Sequence, residues 1–228
     1  MRQVARVIWN EVLPSSPVFA TSAVAELTGS TISNVSRDLG KLEEEGMITR
    51  IRRGVWAVVQ HPDFSAYSVV PHLFEGERAG YVSLFSALNL HGMIDQIPQV
   101  VQVMTTQQRS KLRTPFGTYE FHQIQAELFG GFGPYRSMGN FDIATPEKAL
   151  FDTMYLSARK GRRFTHMPEI EMPTGFSPTA VEEWISRVRH HPLRRAIVQR
   201  WLRLADRIRR SERDHLESVA PSMHGSIR

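Results

Sequence analysis

The chain has 228 residues, of which 41% are hydrophobic, with a formal net charge of +5 and a pI near 9.9. That length admits two domains with cores of their own, and the basic balance suits a polyanionic partner. There are no cysteines, which excludes disulfides and thiolate metal sites. No run of about 18 apolar residues marks a transmembrane helix, and no apolar signal core follows Met1-Arg2, so a cytoplasmic location is expected.

Residues 1–62 are expected to form a winged helix-turn-helix. A first helix over Gln3–Leu13 offers Val4, Val7, Ile8 and Val12 to a core and is stopped by Pro14 and Pro17. A short helix then begins at Thr21 or Ser22, with Val24 and Leu27 facing inward and Ala25 at a helix crossing. Thr28-Gly29-Ser30 makes the turn, where glycine supplies a positive φ. Ser30 is the expected N-cap of the next helix. Its apolar stripe is Ile32, Val35, Leu39 and Leu42, at spacings of three, four and three, the signature of one buried helical face. Thr31, Ser33, Asn34, Arg37 and Lys41 lie off that stripe. Asparagine and arginine match base edges, while hydroxyls and lysine suit base or phosphate oxygens.

After Gly46 the period changes. Met47–Arg52 and Val55–Val59 are rich in β-branched residues, and Arg53-Gly54 joins them as a hairpin turn. Arg50, Arg52 and Arg53 lie at or near its tip. A solvated, charge-protected hairpin edge would carry such residues too; next to a helix-turn-helix they are read as contacts to DNA backbone or minor groove. His61-Pro62-Asp63 closes this unit, and residues 63–80 are expected to be a linker.

The segment 81–213 reads as a mixed α+β domain ending in helices. Tyr81–Leu90 is an apolar helix closed by His91-Gly92. Gln99–Thr105 and Thr118–Ile124 are strands separated by a polar turn at Lys111–Gly117, and Gly130–Pro134 is a loop. Thr145 caps a helix with Pro146 and Glu147 in its first turn, running to about Arg159, with Lys160–Arg163 as its basic end. Ser177-Pro178 starts another helix, carrying Val181, Trp184, Ile185 and Val188, which His190-His191-Pro192 breaks. The last helix shows Leu193, Ile197, Trp201, Leu204 and Ile208 on one face.

Charge is unevenly placed. Residues 184–213 hold ten arginines and two acids, while residues 1–62 hold seven Lys/Arg against six Asp/Glu. Arg194, Arg195, Arg203, Arg207 and Arg210 are therefore candidate phosphate or partner contacts, since a guanidinium grips phosphate or carboxylate with two hydrogen bonds. The same pattern also fits a solvated face of a helix hairpin docked on its own domain. Residues 214–228 have the composition of a disordered tail.

Enzyme signals are weak. Gly130-Gly131 followed by Asp142 has part of a nucleotidyltransferase pattern, but Ile143-Ala144 follows, so the second metal-holding carboxylate is missing. The nine histidines show no ligand spacing, and neither a G-x-S-x-G nor a Walker-type loop occurs. No cofactor, metal or catalytic residue is expected.

Two segments resemble a known family. YVSLFSALNLHGMIDQIP with the strand-turn-strand after it, and ATPEKALFDTMYLSARKG, are similar to the C-terminal region of AbiEi-type antitoxins. These are the antitoxin halves of type IV toxin–antitoxin pairs linked to phage-abortive infection. The N-terminal unit resembles their DNA-binding domain, so the likeness spans about residues 3–210. Its most specific pieces are Ser86-Ala87-Leu88 through His91-Gly92 and Thr145-Pro146-Glu147-Lys148-Ala149. The resemblance implies a repressor that binds inverted repeats in its own promoter. It also implies a co-transcribed nucleotidyltransferase-like toxin, opposed without a stable complex, with the C-terminal domain needed for that effect. Residue chemistry alone leaves open a protein-interaction module that docks an acidic partner through the arginine-rich helix, and, more remotely, a metal-dependent enzyme acting on nucleotides.

Overall fold

The computed structural model describes residues 2–74, 79–159 and 167–219, and the architecture is α+β. The N-terminal unit begins with α1 (Arg2–Val7), which continues as a π-helical turn at Ile8–Val12. Then come β1 (Val18–Ala20), α2 (Thr21–Thr28), α3 (Ile32–Glu44), β2 (Thr49–Arg52) and β3 (Val55–Ala57). The three strands form an antiparallel sheet in the order β1-β3-β2.

Local chemistry sets the α2–α3 corner. Gly29 closes α2 in the left-handed region, at φ +62°, a backbone state glycine adopts without steric cost. The α3 cap is Thr31, one residue after the expected Ser30: its Oγ1 accepts from the Asn34 amide at 3.3 Å. Val35, Leu39 and Leu42 are buried and meet Val4, Ile8, Val24 and Trp56 in an N-terminal core. Two residues expected in that core are outside it. Leu27 is 50% exposed and Ile32 60% exposed.

β1 and β3 are buried on both faces. Phe19, Trp56 and Val58 point into the N-terminal core, while Val18, Val55 and Ala57 point into the second core, the two-residue alternation of a strand. The second face is covered by a 3₁₀ turn at Tyr67–Leu73, whose Ser68, Val69, Val70 and Leu73 are buried. Within the stretch expected as a linker, residues 67–73 are thus a packed connector. Short, proline-containing and apolar at irregular spacing, it matches no helical or strand period.

The second unit is built from β4 (Gly80–Val82), α4 (Leu84–Leu90), β5 (Val101–Thr105), β6 (Leu112–Thr114), β7 (Gly117–Gln123), β8 (Phe132–Tyr135) and β9 (Phe141–Ala144). Helices α5 (Pro146–Ala158), α6 (Pro178–Ser186) and α7 (His191–Val219) follow. The sheet is mixed, ordered β6-β7-β5-β4-β9-β8, with β4-β9 and β5-β7 parallel. Tyr81-Val82 is therefore strand where helix was expected, and β6 and β8 occupy the expected turn and loop.

Helix α5 is central to this unit. Thr145 caps it, its Oγ1 accepting from the Lys148 amide at 3.2 Å. Residues Lys148 through Ser157 are all buried, enclosed by α4, α6, α7 and β9. The expected apolar face of α7 is seen, with Ile197, Trp201 and Leu204 buried. Residues 214–219, expected in a disordered tail, continue α7; residues 220–228 and the basic stretch Lys160–Arg163 lie outside the described residues. No helix among the described residues is long and apolar enough to cross a membrane.

Candidate nucleic-acid interface

The outward side of α3 is the clearest surface for recognition. Thr31, Ser33, Asn34, Arg37 and Lys41 are all exposed, and Val35, Leu39 and Leu42 hold the helix from behind. Arg37 Nη2 donates to Asn34 Oδ1 at 2.8 Å, so two expected contact residues form one polar unit, prearranged by their i,i+3 spacing. Neither is covered by the second unit. The acidic end of α3 is partly neutralised: Glu43 Oε1 accepts from the Arg50 amide at 3.1 Å, and its carboxylate lies 3.7 Å from the Arg50 guanidinium.

The three hairpin arginines have three different surroundings. Arg53 is exposed beside Gly54 at the tip. Arg50 is exposed, but its guanidinium also lies 4.5 Å over the Trp56 ring. Arg52 is turned away from the tip. A bulge between Arg50 and Arg52 places Ile51 and Arg52 opposite Val55 alone, and bulges of this kind re-aim side chains. Arg52 Nη2 donates to the His72 carbonyl at 2.8 Å, and its buried Nε has no hydrogen-bond partner. Arg52 thus serves the junction between the two units and not the hairpin surface expected of it. Burial and the Arg52 charge hold the His72 imidazole down at about 4, so it is neutral at pH 7.

The α7 arginines lie on the second unit, on a helix packed against α5 and α6. Arg195, Arg203, Arg207 and Arg210 are exposed, while Arg194 is half-buried with Nη2 at 2.8 Å from His191 Nδ1. Arg203 Nε donates to the Gln199 carbonyl of its own helix at 3.2 Å. Arg200, not singled out from the sequence, has a structural part: its Nη2 donates to the Ser157 carbonyl at 2.9 Å and ties α7 to α5.

The sequence reading missed a polar cluster inside the second core. Lys148 and Asp152, one turn apart on α5, are both fully buried and form an ion pair. Asp152 Oδ2 also accepts from Ser83 Oγ at 2.8 Å and from Tyr81 OH at 3.1 Å. Lys148 Nζ stands 4.7 Å from the centre of the Trp184 ring and 5.0 Å from that of Phe151. Burial pushes the lysine down and the aspartate up, each opposed by its partner, and burial with the nearby carboxylate raises Tyr81 well above its usual range. Leu84, next to Ser83, has a left-handed backbone at φ 56°, which costs a non-glycine residue about 1–3 kcal/mol. An i,i+4 Lys–Asp pair normally sits on a helix surface; the one signal that this pair does not is its apolar setting of Ala149, Leu150, Phe151 and Met154.

The remaining chemistry-bearing residues do not converge. Asp142 is half-buried on β9. Glu147 Oε1 accepts from the Ser177 amide at 3.0 Å, joining α5 to the start of α6. Among the described residues no group of three His, Asp or Glu side chains is arranged to hold a metal ion. A cleft of about 360 Å³ lined by Leu13–Pro17, Asp63, Arg136, Gly139 and Asn140 is open and polar. No protein-family model matches the chain, and no curated protein matches it.

Proposed function

We propose that the chain is a repressor that binds double-stranded DNA, and that its N-terminal unit is a winged helix-turn-helix. The observation that carries this reading is the outer face of α3. A helix anchored through Val35, Leu39 and Leu42 presents Ser33, Asn34, Arg37 and Lys41 to solvent beside a hairpin ending at Arg53. The strand order β1-β3-β2 around three helices supports it, since α3 can enter a major groove while the hairpin lies along the backbone. Arg50 is a secondary backbone contact, already shared with Glu43 and Trp56.

The antitoxin part of the proposal rests on the resemblance of residues 81–98 and 144–161 to AbiEi-type antitoxins. On that reading the operator consists of inverted repeats in the chain's own promoter. The functional partner is a nucleotidyltransferase-like toxin encoded alongside and opposed without a stable complex, and the protein works in the cytoplasm. The chain acts by binding and not by catalysis: Lys148 and Asp152 are fully buried and satisfied by each other and by two hydroxyls.

A promoter–reporter fusion tests the first part. The chain is expected to repress its own upstream region and to lose repression on Arg37→Ala; equal expression with and without the chain contradicts it. Co-expression with the adjacent reading frame tests the second, with rescue of growth as the expected result.

The exposed arginines of α7 favour a second reading, in which Arg195, Arg203, Arg207 and Arg210 dock an acidic protein. Salt-sensitive capture of such a partner, with no affinity for any duplex, is the result that selects it.

A further inference from the structure

We propose that α3 reads a thymine through its methyl group at Ile32, next to a guanine read by the Asn34–Arg37 pair; this rests on the DNA-reading role of α3 proposed above. Ile32 is the first residue of α3 and is 60% exposed, while the other apolar side chains of the helix are buried. Nothing in its own unit covers it, although its spacing fits the buried stripe. A single exposed apolar residue is ordinary, but the N-terminal turn of a groove-reading helix is the part that reaches base edges. At those edges the major groove offers one apolar group, the thymine C5 methyl.

The neighbouring pair is selective for a different reason. Asn34 Oδ1 accepts from Arg37 Nη2 at 2.8 Å. With its side-chain acceptor turned toward Arg37, the unit presents donors outward: the Asn34 amide hydrogens and the remaining Arg37 N–H groups. Guanine offers two acceptors, N7 and O6, in the major groove, whereas adenine offers one acceptor and one donor. A surface with several donors and one part-used acceptor therefore prefers guanine, although asparagine by itself would suit adenine.

The test selects bound duplexes from a random library with the full-length chain, then edits single atoms of the recovered half-site. Replacing one thymine by deoxyuridine is expected to weaken wild-type binding about fourfold, the worth of one buried methyl-sized group. The same edit is expected to change nothing for Ile32→Ala. Replacing the adjacent guanine by 7-deazaguanine is expected to weaken wild-type binding at least about fivefold and to leave Arg37→Ala unaffected. The edited duplexes use wild-type protein, so the result does not depend on either variant folding.

Indifference of wild-type protein to uridine at every thymine overturns the Ile32 assignment. So does an Ile32→Ala variant that keeps the thymine preference but shifts sedimentation from dimer to monomer, because the side chain then belongs to an interface between copies. Selection of adenine at the edited position overturns the Asn34–Arg37 assignment. A library that yields no enriched sequence and no salt-sensitive binding overturns the DNA-reading role itself, and this inference with it.

Discussion

Removing the Asp152 carboxylate should be among the most damaging single changes in the second unit. Asp152→Ala leaves the Lys148 ammonium fully buried, with Trp184 and Phe151 rings within 5.0 Å and no counter-charge. It also orphans the Tyr81 and Ser83 hydroxyls. Breaking a buried pair from one side costs about 3–5 kcal/mol. The lysine can escape only by losing its proton, which at pH 7 costs about 4.6 kcal/mol from an ordinary lysine pKa. The two effects place the loss at about 4 kcal/mol, a large part of a marginal stability. Lys148→Met should cost less, about 3 kcal/mol, because the two hydroxyls still stabilise the remaining carboxylate. The double variant Lys148→Met/Asp152→Leu removes both charges and should cost less than the sum of the singles by at least about 2 kcal/mol. Urea unfolding followed by far-ultraviolet circular dichroism measures all three. A loss below about 1 kcal/mol for Asp152→Ala, or strict additivity in the cycle, contradicts the assignment of these residues as a mutually dependent buried pair.

Gly131→Ala should destabilise by about 2–3 kcal/mol, because φ there is +68° and a Cβ would stand 2.6 Å from the Trp184 ring; a thermal melt reads it. His72 is held near 4 by burial and by Arg52, so the folded state keeps it neutral while the unfolded chain protonates it near 6.5. Its contribution is therefore complete above pH 6.5 and is lost as pH falls toward 4, to a limit of about 3 kcal/mol; His72→Gln should flatten that part of the pH–stability curve. Arg53→Ala should reduce the dependence of DNA affinity on salt by about one phosphate contact, measured by anisotropy across a salt series. Arg52→Ala should instead lower the melting temperature and leave the salt dependence unchanged, because its guanidinium is engaged with the His72 carbonyl.

Much of the N-terminal unit was legible because its signals are local. The three-four-three spacing marked α3, the glycine at 29 marked the turn, and the Arg53-Gly54 pair marked the hairpin. The same spacing rule misplaced Ile32 and Leu27, since periodicity says which side of a helix a residue lies on but not whether anything stands opposite. The junction was invisible for a related reason. Only the sheet's second covered face, with Val18, Val55 and Ala57 in one core with Val69, Val70 and Leu73, shows that residues 67–73 of the expected linker are packed, and the bulge that turns Arg52 inward has no sequence signal of its own. Strand β4 was read as helix because three residues are too few to show an alternation. The Lys148–Asp152 pair escaped notice because its partners, Tyr81 and Ser83, lie about 70 positions away in the chain, 71 and 69 residues from Asp152.

The groove-reading role proposed for α3 is decided by a competition assay at fixed salt. The full-length chain is bound to its selected duplex and challenged with random duplex, and the ratio of the two affinities is measured for wild type and Arg37→Ala. Wild type is expected to prefer its selected sequence by about 10³-fold or more. Arg37→Ala should lose about 1–3 kcal/mol of that preference while keeping its affinity for random DNA within a few-fold. Equal ratios for the two proteins, or no preference in either, contradict it.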